Sequence, residues 1–142
     1  MAQNQTLIHD LTALIKQKDN YTQQKERKIK EAIDLLRVPN ASAEQRYAIN
    51  QRLFDEFKTY ISDSAVYYVK ENIRIAEELQ KTDLQNDSRL SLASLYIISG
   101  NYLDAADLLR AIDKEQLQEP QLIQYYNCYL NLYNNYRSEE HT

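Results

Sequence analysis

Residues 89–113 read RLSLASLYIISGNYLDAADLLRAID, and the fold follows from how this stretch is read. Leu92, Leu95 and Tyr96 recur at spacings of three and four, which is the period of one helix face. The run stops at Gly100, the only glycine in the chain. A lone glycine at the end of a periodic run is where a helix closes in a left-handed residue. Periodicity resumes at Tyr102 and continues to Ile112. Two helices joined by so short a link must run antiparallel.

The same reading extends outward in both directions. Leu7, Leu11, Leu14 and Ile15 form one apolar stripe, and Tyr21, Ile29, Ala32, Ile33 and Leu36 form another. Asp19-Asn20 falls between them, and Asn20 with Gln23 has the form of a capping box. The spacing predicts two helices here, with an unbroken helix over 5–37 as the alternative. Pro39 ends the segment. Ser42 with Gln45 predicts another cap, followed by a stripe of Tyr47, Ile49 or Asn50, Leu53, Phe54, Phe57 and Tyr60. Ser62-Asp63 opens a helix with Ala65, Tyr68, Val69, Ile73, Ala76 and Leu79 inward. The polar run 82–87 reads as a turn before a helix over 88–99. Pro120 sits at a first helical position, and the helix it opens carries Tyr125, Tyr126, Tyr129, Leu130 and Tyr133. Strand-like alternation is nowhere sustained. The expectation is an all-α chain of six or seven helices, stacked as antiparallel pairs.

Composition excludes much else. One glycine and two prolines are too few for a β-sandwich or barrel, and they leave no Gly-rich phosphate loop. One cysteine and two histidines supply neither a disulfide framework nor a multi-histidine metal centre. The net charge is −4 with a pI near 5.2, unsuited to binding a polyanion. Residues 1–70 hold 11 basic and 9 acidic side chains and residues 71–142 hold 6 and 12. The basic run Lys25–Lys30, interleaved by Glu26, reads as a solvated helix face. No run approaches the length of a membrane span. Cys128 reads as a small buried side chain.

Residues 89–113 resemble a tetratricopeptide repeat (TPR). Leu92, Ala93, Tyr96, Gly100, Tyr102, Ala105 and Leu109 stand where that repeat's packing residues stand. Arg89 replaces the leading tryptophan, Ile112 a small residue, and the closing proline is displaced to Pro120. A degenerate copy occupies 43–81. A further first helix occupies 119–137, where Tyr126, Tyr129 and Tyr133 repeat the spacing of Arg89, Leu92 and Tyr96 at an offset of 37. With N-terminal helices over 1–40, the chain reads as a single TPR-like α-α superhelix over 1–142.

The layout also resembles the N-terminal region of a family of Bacteroidetes envelope regulators. It runs from a leucine-rich helix through Tyr21–Glu26, Glu44–Tyr47 and Leu53–Lys58 to Asp63-Ser64-Ala65. In that family a signal peptide precedes the TPR-like region, and a membrane-spanning helix, a coiled coil and a cytoplasmic DNA-binding domain follow it. The resemblance implies a fragment of a longer, membrane-anchored transcriptional regulator, located in the periplasm or cell envelope. The opening Ala2-Gln3, typical of a trimmed mature N-terminus, agrees. The alternative is a soluble cytoplasmic TPR scaffold without a signalling role.

No catalytic, cofactor or metal residues are expected, and the chain is not read as an enzyme. His9-Asp10 has the order of a phosphoacceptor helix, but no ATP-binding motif follows. His141 reads as inert. Glu77-Glu78 and Asp104 with Asp107 read as surface carboxylates, the latter favoured near a helix N-terminus. The twelve tyrosines are the oddity. Most belong in the core, yet a helix cannot bury the whole set Tyr125, Tyr126, Tyr129, Tyr133 and Tyr136. Tyr126, Asn127, Tyr129, Tyr133 and Asn134 are therefore the candidate contacts for a protein or peptide partner, lining a groove or meeting a further repeat. A second copy of the chain is a further candidate, and nucleic acid is not.

Overall fold

The computed structural model describes residues 2–59 and 62–140, so Tyr60 and His141 lie outside the described residues. The helices are α1 (Ala2–Leu36), α2 (Ala43–Phe57), α3 (Ser62–Glu78), α4 (Thr82–Ile98), α5 (Tyr102–Arg110) and α6 (Glu119–Glu140). A single 3-10 turn, Lys114–Gln116, precedes α6. No strand occurs among the described residues. The chain divides into two compact units, Met1–Val38 and Pro39–Thr142.

The first unit is one helix, not two. Thr22 Oγ1 donates to Lys18 O at 3.0 Å across the expected break, and Asn20 lies mid-helix rather than at a cap. Asp and Asn each cost a helix only about 0.7 kcal/mol, while stopping and restarting one incurs the penalty of a second nucleus. With no Gly or Pro at the site, continuation wins. Ile29 and Ala32 are buried, whereas Leu7, Ile8, Leu11, Leu14 and Ile15 are between 50% and 63% exposed.

The second unit is a stack of hairpins. Ser42 makes the expected capping box, with Gln45 N donating to Ser42 Oγ at 3.1 Å and Ser42 N to Gln45 Oε1 at 2.9 Å. Asn50, rather than Ile49, takes the buried position on α2 beside Leu53, Phe54 and Phe57. Leu90, Ala93, Ile97, Ala105, Leu109, Ile112 and Cys128 form one core cluster that joins α4, α5 and α6.

The polar run 82–87 is not a turn but the first turns of α4. Its polarity has a tertiary purpose. Tyr47 Oη lies 3.1 Å from Leu84 O, to which it donates, and 2.9 Å from Ser88 Oγ. Gln121 Nε2 donates to Asp83 O at 2.9 Å and Asp87 Oδ1 at 2.7 Å. Farther along, Cys128 Sγ lies 3.3 Å from Ser94 Oγ. The contacts of Gln121 and Cys128 run in the same order along both helices and so align α4 and α6 in parallel, while Tyr47 ties α2 to the start of α4.

Two turns share one geometry. After α4, Asn101 N donates to Tyr96 O at 2.7 Å and Gly100 N to Ile97 O at 3.2 Å. After α3, Lys81 N donates to Ala76 O and Gln80 N to Glu77 O, both at 3.1 Å. Both are Schellman closures. Gly100 has φ 81° and Gln80 φ 55°. A Cβ at Gly100 would meet nothing within 4 Å, so any cost there is conformational rather than steric. Gly100→Ala is expected to destabilise the unit by about 1–2 kcal/mol, and Gln80→Gly to stabilise it by about 0.5–1 kcal/mol. Urea unfolding followed by far-UV circular dichroism checks both, and equal effects of the same sign would contradict the assignment.

Candidate functional site

Helix α6 carries its aromatic residues on one side because of their spacing. At 100° per residue, Leu132, Tyr133 and Tyr136 all fall within about 60° of Tyr129. This face meets Tyr102, Leu103 and Ala106 of α5, and the seven residues enclose an open groove of about 350 Å³ with mainly apolar walls. Tyr102 and Tyr136 meet edge to face across it, with ring centroids 6.5 Å apart and planes at 80°. Tyr125 packs edge-on against both Tyr129 (4.9 Å) and Tyr126 (5.5 Å). Such pairs hold each other's orientation more firmly than aliphatic neighbours would.

The core beneath fixes α6 in rotation. Cys128 is buried against α4, its thiol near Ser94 Oγ and 4.0 Å from Leu90 O. Burial pushes the thiol pKa up, opposed by the Ser94 hydrogen bond. With Cys128 inward, Tyr129 sits at the shoulder of the interface and Tyr133, 62% exposed, at its mouth.

The five candidate contacts divide. Tyr129 and Tyr133 line the groove. Tyr126 neighbours it but is turned to solvent, 52% exposed. Asn127 and Asn134 are exposed on the opposite side of α6, roughly 160° and 140° from Tyr129. The repeat-packing residues take core positions: Leu92, Ala93, Ala105 and Leu109 are buried, and Tyr96 and Tyr102 half-buried. Leu103, Ala106 and Leu132 complete the groove without having been singled out in the sequence. The step from Tyr129 to Leu132, Tyr133 and Tyr136 was readable there; the facing α5 wall was not. Among the described residues, no group of three or more His, Cys, Asp or Glu could hold a metal ion.

Helix hairpins stacked in register, with a glycine-closed turn and small residues at the crossing, define the TPR class. Such domains are generally non-catalytic scaffolds that mediate protein–protein interaction. A family model described as the SusR N-terminal TPR domain matches residues 15–142, and the chain belongs to that family. Comparison with curated proteins finds no match, and comparison with solved structures finds none.

Burial, then a hydrogen bond to Tyr125, raises the Tyr129 pKa from 10.0 to about 12. A raised folded-state pKa means the native state holds its proton longer than the unfolded chain does. The stability this contributes is complete below pH 10 and is lost as pH rises through about 12. Denaturant midpoints should therefore fall between those limits, and Tyr129→Phe should flatten that fall. An unchanged profile in the variant would show that Tyr129 is not the residue responsible.

Proposed function

We propose that this domain is the extracytoplasmic sensing part of a membrane-anchored transcriptional regulator, located in the cell envelope. It acts by holding a protein or peptide partner in the groove between α5 and α6. The groove is the observation that carries the reading. Tyr102, Tyr129, Tyr133 and Tyr136 present rigid rings with polar tips beside Leu103 and Leu132. Tyrosine gives large contact area with few rotatable bonds, which suits it to anchoring a partner chain. Family membership supports the regulatory part of the reading. No helix among the described residues is long and apolar enough to cross a membrane, and the reading places the anchor and the DNA-binding output outside these residues.

The mechanism is non-covalent. A segment seated on Tyr129 and Tyr133 pushes on Tyr125 and on the Cys128 contact with α4, and so changes how the terminal helices pack. The test is capture of a partner from separated envelope and cytosolic fractions. Tyr133→Ala is expected to reduce capture from the envelope fraction at least about tenfold, as loss of an aromatic anchor does. Tyr126→Ala, outside the groove, should bind as the parent does, and both variants should keep the parent's helix content. Equal loss in both variants would move the site off the groove, and equal capture from cytosol would remove the envelope assignment.

A further inference from the structure

We propose that the N-terminal half of α1 is a self-association surface that pairs antiparallel with α1 of a second copy about a twofold axis near Leu11. The five apolar residues that create it are Leu7, Ile8, Leu11, Leu14 and Ile15, all half or more exposed. Their positions are symmetric about Leu11, at −4, −3, 0, +3 and +4. On a helix these offsets make a single stripe, within about 60° of Leu11 on either side. A stripe with that symmetry is complementary to its own reversed copy. Turned about Leu11, Leu7 meets Ile15 and Ile8 meets Leu14, so every apolar residue finds another.

The charges select the antiparallel arrangement. Continuing the stripe toward the C-terminus brings Lys18 and Lys25 to its centre, seven and fourteen residues past Leu11. A parallel pair would set each lysine against its own copy, a repulsive arrangement at the seam. In the antiparallel pair Lys18 faces Asn4 instead of its own copy. Lys16 faces Thr6, Asp10 faces Thr12, and Asp19 faces Gln3, so no like charges oppose.

The area also suits one particular kind of complex. Five large apolar side chains at this exposure offer roughly 100 Å² each, or about 1,000 Å² over both copies. That lies at the lower edge of specific interfaces and implies a weak dimer. Because the surface is self-complementary the assembly closes at two copies.

Sedimentation equilibrium of the full chain from about 1 µM to 1 mM tests this. The mass should rise from 16.8 kDa toward twice that value. Leu11→Lys, on an exposed position that leaves folding intact, should hold the mass at the monomer. Ile123→Lys, an equally exposed apolar site on α6, should leave the dimer unchanged. A spin label at Thr22→Cys in a Cys128→Ala background reads the orientation. Antiparallel pairing separates the two labels by roughly 30 Å, whereas parallel pairing brings them to about 10 Å. A monomer throughout, a mass exceeding two copies, a dimer that survives Leu11→Lys or is lost in Ile123→Lys, or the short label distance would each overturn the proposal.

Discussion

The second unit depends on the close crossing of α4 and α5. Ala93 and Ala105 are fully buried with no side chain beyond Cβ, and their small size lets two backbones approach while Leu90 and Leu109 fill the space alongside. A larger residue at either alanine would push the helices apart and strip contacts from the whole cluster, because interiors are packed too tightly to absorb added volume. The turn at Gly100 makes the crossing possible. It reverses the chain within a few residues and satisfies the last carbonyls of α4 as it does so.

Hydrogen bonds then decide how one hairpin stacks on the next. Apolar stripes can slide along each other at little cost, since hydrophobic contact is non-directional. The polar contacts cannot. Tyr47 on Leu84 and Ser88 and Gln121 on Asp83 and Asp87 each hold only in one alignment, and within the α2–α3 hairpin Asn72 Nδ2 donates to Tyr47 O at 3.1 Å. Breaking the Tyr47 or Asn72 bonds would strand half-buried polar groups away from water, whereas the Gln121 bonds lie exposed. Burial raises the Tyr47 pKa, opposed by its hydrogen bond with Ser88.

The groove follows from the same construction. Helix α4 has α5 folded back across it, but α6 has no such partner among the described residues. At an offset of 37 from Gly100 the chain has Arg137, and the helix runs on to Glu140 without turning. Among the described residues, the side of α6 that carries Tyr129, Tyr133 and Tyr136 forms an open wall beside α5. Tyrosine tolerates this position because its ring packs while its hydroxyl is solvated.

The sequence alone determined the all-helical class, the hairpin over 89–113, the left-handed close at Gly100 and the Ser42 cap. Each rests on local chemistry, namely the 3.6-residue period, the missing Cβ and a side chain within reach of its own backbone. It also showed that α6 carries more aromatic residues than one buried face can hold. It misread two boundaries, Asn20 as a cap and 82–87 as a turn. Polar residues look alike whether they end a helix or bond a neighbour, and the partners, Tyr47 and Gln121, lie more than thirty residues away. The 100° step sets Asn127 and Asn134 on the far side of α6 from Tyr129, but only the tertiary structure showed which side faces α5 and supplied Leu103 and Ala106 as the facing wall. The rotation of a helix about its axis is set by what it packs against, here Cys128 on Leu90 and Ser94, and no single segment carries that information.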